Sequence, residues 1–119
     1  MIIAVSSSDG LVDSPFSPRF GRCAYFVLFD TSSNSWNTIE NPARNAQGGA
    51  GTRVVQFLND LNVEVLVSGR YGPNAFSAIK ASGIAAYLAD SGTPTELVDM
   101  VQAEGLSRLE SPSGRGYHG

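Results

Sequence analysis

Three strand-like stretches come first in this chain with no helix between them, and only afterwards do helical and strand-like stretches alternate. That order is the strongest constraint on what it can fold into. Met1 to Ser7 is a short continuous apolar run that dissolves into Ser8 and Asp9-Gly10, the pattern of a strand covered on both faces. Tyr25 to Asp30 is a second strand, residues 31–34 are turn formers, and Ser35 to Glu40 alternates with period two. Together they predict a hairpin with one partly solvated face. Val54, Val55, Phe57, Leu58 and Leu61 then recur at helical spacing, predicting a helix over 52–61 with Asn62 as a left-handed stop. Val63 to Ser68 is the fourth strand. Pro73 at a first helical position, Ala75, Phe76 and Ile79 on one face and Gly83 beyond the end predict a second helix, followed by a short fifth strand over 84–88. Thr93-Pro94-Thr95-Glu96 reads as a capped helix start, and Leu97, Val98, Met100 and Val101 pack inward along a third helix to about Glu104.

A meander followed by helix, strand, helix, strand assembles into one mixed α/β sheet. Strands one to three are antiparallel, and right-handed crossovers add strands four and five parallel to the first. The expected sheet has five strands in the order 3-2-1-4-5, with strand 2 antiparallel. In that order the loop entering strand two, the loop leaving strand three and the loop leaving strand four all meet at the carboxyl edge of strand one. These are residues 8–24, 41–51 and 68–74, and such an edge is where open α/β sheets bind ligands.

The charges agree with this placement. The protein carries a formal net charge of −3, with 8 basic and 11 acidic residues, and every basic residue except Lys80 is arginine. Arg19, Arg22, Arg44, Arg53 and Arg70 lie in or beside the three loops against only Asp9 and Asp13, while the remaining chain has three basic and nine acidic residues. An acidic molecule with a concentrated basic edge suits one small anion better than a long polyanion, and the overall balance argues against nucleic acid as a partner. The arginine fork suits planar or multidentate anions.

The stretch from Pro18 to Phe26 concentrates the candidate chemistry. It sets Arg19, Phe20, Gly21, Arg22 and Cys23 at the mouth of the second strand, with Pro15, Pro18 and Gly21 shaping the loop. Cys23, the only cysteine, is read in two ways: a small buried hydrophobe, or a thiolate favoured by the two arginines and able to bind metal. Gly48, Gly49 and Gly51 before the first helix present backbone N–H groups to an anion or simply form a flexible loop. Gly72 and Asn74 repeat the theme before the second helix, where a plain helix start is the bland alternative, and Arg70 stands beside them. His118, the only histidine, is a solvated tail residue or a second soft ligand folding over the basic edge. One Cys and one His do not close a zinc site.

Length and composition set the remaining bounds. At 119 residues one domain is expected, over 1–109, with 110–119 as a flexible glycine-rich tail too poor in apolar residues to order itself. A single cysteine suits a reducing compartment, no window approaches a membrane span, and no basic leader precedes the first strand. The expected location is the cytoplasm, as a soluble protein off the membrane. Two-metal nuclease chemistry is excluded because the first strand has no carboxylate, strand four ends in Ser68-Gly69 and Asp60 sits at the far end of its helix. The sole histidine lies in the tail, so no Ser-His-Asp set forms.

Ile2 to Val5, Arg19-Phe20-Gly21-Arg22 running into Tyr25-Phe26, Ile39-Glu40-Asn41-Pro42, Gly48 to Gly51 and Gly72-Pro73-Asn74-Ala75 together resemble the dinitrogenase iron-molybdenum cofactor biosynthesis family. That group includes NifX, NafY and the carboxyl-terminal part of NifB. The resemblance implies a ribonuclease H-like three-layer fold without nuclease activity. It also implies a non-catalytic binding protein or carrier for an iron-sulfur or iron-molybdenum-type cluster or its precursor, exchanging it with cluster donor and acceptor proteins. On this reading Cys23 ligates iron, Arg19, Arg22 and Arg70 neutralise the cluster, the glycine loops contact it, and His118 is an optional ligand. The alternative is a regulatory or interaction module that binds a small anionic metabolite or partner carboxylates at the same edge. Either a monomer or a homodimer fits, with Trp36 on the edge hairpin available for pairing.

Overall fold

The computed structural model describes residues 1–46 and 48–112. Its strands are β1 (Ile2–Ser7), β2 (Tyr25–Asp30), β3 (Ser35–Glu40), β4 (Val65–Ser68), β5 (Ala85–Leu88) and β6 (Ser107–Arg108). Its helices are α1 (Ala50–Asp60), α2 (Pro73–Ser82) and α3 (Pro94–Gln102), with a 3-10 turn at Phe20–Arg22. They form one mixed sheet in the order β3-β2-β1-β4-β5-β6. β1 pairs antiparallel with β2 and parallel with β4, and β4 pairs parallel with β5. The expected order of the first five strands therefore stands.

The expected count of five is corrected by β6, which runs antiparallel to β5 through Tyr87↔Arg108 and Leu88↔Ser107. Its cause is Leu109, only 8% exposed, whose N–H donates to the Ala86 carbonyl at 2.8 Å. Burying that side chain draws the chain alongside β5 after it reverses at Glu104, which takes a positive φ of 58°. Two residues are too few to show a strand period.

Period-two alternation sends each strand's residues to opposite faces. Ala4, Phe26, Leu28 and Leu66 join Val54, Val55 and Leu58 of α1 and Ile79 of α2 in one core. Ile3, Val5, Val27, Val65 and Val67 join Leu97, Val98 and Val101 of α3 in the other. Two helices thus cover one face and one covers the opposite face.

Helix ends follow local chemistry. α1 starts two residues earlier than the apolar spacing indicates, because Gly49 takes the left-handed conformation (φ 69°) at its N-cap. Thr93 and Glu96 form the expected reciprocal capping box on α3, and Asn62 (φ 66°) and Gly83 (φ 80°) supply the left-handed stops after α1 and α2. Among the described residues no helix is long and apolar enough to cross a membrane.

Candidate functional site

The loop between β1 and β2 is fastened where two parallel strands end. The Ser17 N–H donates to the Ser6 carbonyl at 2.9 Å. The Ser6 hydroxyl bonds to the Ser17 carbonyl at 2.5 Å and to the Ser68 hydroxyl at 2.7 Å. All three serines are buried, so these bonds also satisfy groups that would otherwise be desolvated without partners. Phe20 then plugs the 3-10 turn into the core, with its ring 5.6 Å from that of Phe26 and 5.1 Å from that of Tyr71. The turn is drawn against the β4–α2 loop by the Phe20 N–H to Arg70 carbonyl bond at 3.3 Å and by a parallel bridge between Arg19 and Arg70.

Asn41 ties the second loop to the first. Its buried side-chain amide donates to the carbonyls of Gly21 at 3.2 Å and Cys23 at 2.9 Å, while its oxygen accepts the Ala43 N–H at 2.9 Å. Glycine is required where the backbones touch. A β-carbon on Gly51 would lie 2.9 Å from the Ala75 β-carbon and 3.1 Å from its nitrogen, and one on Gly69 would lie 2.9 Å from the Pro18 β-carbon.

These contacts enclose a cavity of about 610 Å³ at the carboxyl edge of the sheet. Its wall takes Arg19, Phe20, Gly21 and Arg22 from the first loop, Gly48, Gly49 and Gly51 from the second, and Arg70, Gly72 and Asn74 from the third. Every residue expected to bind a ligand through the loops is thus brought to one place. Ala50, Pro73, Ala75 and Pro112 are also in the lining; the first three were marked in the sequence as parts of the glycine and helix-start motifs, though not as ligand contacts. Ser6 and Ser68 were unmarked as positioning residues, and Asn41 was marked only by the Asn-Pro step after β3 and its place in the family motif.

Among the described residues the lining holds three arginines and no carboxylate. Among the described residues the one ion pair joins the Met1 amino group to Glu64 at 4.0 Å, so the three guanidinium groups have no acidic partner there. Arg22 donates instead to the Ala46 carbonyl. α1 and α2 both begin at this wall, and neither N-cap residue offers a side-chain capping bond. Their first N–H groups and positive dipole ends add to the arginine charge. Arg44 and Arg53 stand apart: the first lies over the Tyr25 ring at 5.9 Å and the second is exposed on α1, so the basic rim is narrower than the chain order implied.

Cys23 does not join the arginines. It is 3% exposed, packed in the core under α1 and α2, and its thiol donates to the Phe20 carbonyl at 3.3 Å. Burial pushes its pKa up to about 12, outweighing hydrogen bonds and the pull of Arg44. The expected thiolate ligand is therefore corrected to a protonated core thiol, because the 3-10 turn carries residues 19 and 22 outward and residues 20 and 23 inward. His118 lies outside the described residues, as does all of the tail beyond Pro112. Among the described residues no group of three or more His, Cys, Asp or Glu side chains could hold a metal ion.

Fold and site together define a class: a mixed-sheet α/β domain whose carboxyl edge forms a pocket walled by glycines and arginines. The chain belongs to the dinitrogenase iron-molybdenum cofactor family, whose family model matches residues 1–104. It is 30% identical over 97 residues to an uncharacterized protein of Methanocaldococcus jannaschii, an alignment covering 79% of this chain and 82% of the relative. The apo form of the orange protein from Desulfovibrio gigas superposes with a TM-score of 0.88 at 31% identity, over 94% of this chain and 95% of that one. A NifB-like protein from Thermotoga gives a TM-score of 0.83 at 34% identity, over 97% and 98% of the two chains.

Proposed function

We propose that this protein is a non-catalytic carrier for an anionic iron-sulfur or iron-molybdenum-type metallocluster, or a precursor of one, bound as cargo in the pocket at the sheet's carboxyl edge. The observation that carries this reading is the convergence of Arg19, Arg22 and Arg70 with the starts of two helices on a wall that holds no carboxylate among the described residues. Such a wall attracts negative charge and offers N–H donors in fixed directions. The family's link to the dinitrogenase cofactor supports the choice of cargo. The order of the first five strands and the two-sided helix packing support the ribonuclease H-like description of the domain, with 1–109 as its span.

The donor set shapes how the cargo is held. With Cys23 buried and protonated, the pocket fits a preassembled anion that brings its own sulfur ligands and is gripped by charge and hydrogen bonds. Pro112 lies on the wall, and His118, six residues further along the chain, is the optional ligand on this reading. Loading and release are assigned to donor and acceptor proteins in the cytoplasm.

The test is anaerobic incubation with ferrous iron, sulfide and molybdate followed by gel filtration. Metal and visible absorption should co-migrate with the wild-type protein. They should fall by about tenfold or more when Arg19 and Arg70 are both changed to alanine, since a hydrogen bond to a charged group contributes roughly 1.5–3 kcal/mol. They should survive Cys23→Ser. A colourless, metal-free wild-type protein overturns the proposal.

The lack of a metal-ligand cluster among the described residues favours one second reading, a module that binds a small anionic metabolite or partner carboxylates at the same wall. It predicts metal-independent binding, weakened by salt and by Arg22→Ala.

A further inference from the structure

The two edges of the sheet are unequal. At one end β6 is two residues long and carries Arg108, the kind of short, charged edge that resists pairing with another chain. At the other end β3 presents six residues with no lysine, no proline and no bulge. Its register with β2 is unbroken from Tyr25↔Glu40 to Asp30↔Ser35. Among the described residues nothing pairs with its outer side.

The backbone parity of that edge follows from one bond. The Asn41 N–H donates to the Ala24 carbonyl at 3.0 Å. By the alternation of an antiparallel ladder, Ile39, Asn37 and Ser35 also turn their N–H and C=O groups toward β2. Trp36, Thr38 and Glu40 therefore turn theirs outward. Two copies of the strand can meet antiparallel only when outward residues face outward residues, and the register that pairs all three outward residues of β3 sets Thr38 opposite Thr38 of a second copy. Trp36 then faces Glu40 of that copy, and the two Glu40 carboxylates lie at opposite ends of the seam. The Thr38 hydroxyl donates to the Gly10 carbonyl of its own chain at 3.0 Å, so its methyl group and the acceptor side of its oxygen are what meet the second copy, and no like charges face each other. Beside the same edge Trp36 and Phe29 form a half-buried aromatic pair, with ring centroids 4.9 Å apart, on the sheet face that α3 covers only in part.

We infer that β3 is a self-pairing edge through which two copies of this chain join their six-stranded sheets into one continuous sheet about a two-fold axis at Thr38. The axis stands perpendicular to the sheet. The two pockets therefore open toward opposite ends of the dimer and remain separately accessible.

Light scattering coupled to gel filtration across the micromolar range should show the full-length protein as a dimer in reversible exchange with monomer. The chain's only tryptophan, Trp36, should report the same transition by fluorescence. Thr38→Lys sets two cations face to face on the axis and should weaken association by about tenfold or more, the usual consequence of like charges juxtaposed across an interface. Thr38→Pro removes the central outward N–H at an edge position that tolerates proline, and should do the same while circular dichroism stays unchanged. Thr38→Cys should give a disulfide-linked dimer under mild oxidation, because directly paired residues lie about 5.5 Å apart between Cα atoms, within bridging range. Ser33→Cys, exposed in the turn, should not. A wild-type protein that stays monomeric throughout that range, or a Thr38→Lys dimer of unchanged affinity, overturns the inference.

Discussion

Arg22 and Cys23 are neighbours in the chain and opposites in environment. The 3-10 turn swings one guanidinium to the pocket wall and folds the next side chain into hydrocarbon, so the thiol is stabilised in its neutral form. The folded pKa of about 12 lies above the ordinary thiol value of 9.0, so the folded state retains this proton where the unfolded chain has lost it. Stability from this group is accordingly intact below pH 9 and declines as pH rises toward 12, by on the order of 1 kcal/mol per pH unit. Urea unfolding of wild type and Cys23→Ala across that window should show a shallower alkaline decline in the variant. At pH 8 a thiol reagent should modify the native protein about a thousandfold more slowly than the denatured one, because only the thiolate reacts. The residue types of the pocket were legible in the chain because arginine and asparagine are unusual in a core and clustered glycines mark loops. The direction of Cys23 was not, since a single turn decides which side of the chain it faces.

At the scale of elements, the three loops meet because particular glycines permit contact between backbones. Gly51 and Gly72 look alike in the sequence, each just ahead of or within the first turn of a helix, yet they stand in different surroundings. A β-carbon at position 51 would press on the start of α2, whose backbone cannot give way as a flexible side chain can, while one at position 72 meets nothing within 4 Å. Gly51→Ala should therefore force α1 and α2 apart and lower the free energy of unfolding by about 1–3 kcal/mol, measured by urea denaturation. Gly72→Ala, at an ordinary φ of −70°, should leave stability within about 1 kcal/mol of wild type while narrowing the pocket and reducing cargo retention. If both variants behave alike, the close approach of the two helices is not what shapes the wall. The helices themselves were readable from spacing and caps, whereas the extra first turn of α1 depended on Gly49 accepting a left-handed backbone.

For the whole molecule, the family match ends at residue 104, but the folded unit continues through β6 to Leu109. A chain ending at Glu104 should unfold at lower temperature than one ending at Pro112, reflecting loss of roughly 1.5–3 kcal/mol of apolar burial from Leu109 and of the β5–β6 pairing. Scanning calorimetry of the two truncations checks this, and equal melting temperatures would count against β6 as part of the core. The first five strands and their order followed from the chain alone, because apolar period and right-handed crossovers are local or nearly local rules. The clustering of Arg19, Arg22 and Arg70 followed with them, since strand order dictates which loops share an edge. What only the tertiary structure decided was contact between segments distant in sequence: the Asn41 clamp, the glycine approaches, the burial of Cys23 and the sixth strand. Those depend on which side chains fill a common space, and packing of that kind leaves no periodic trace along the chain.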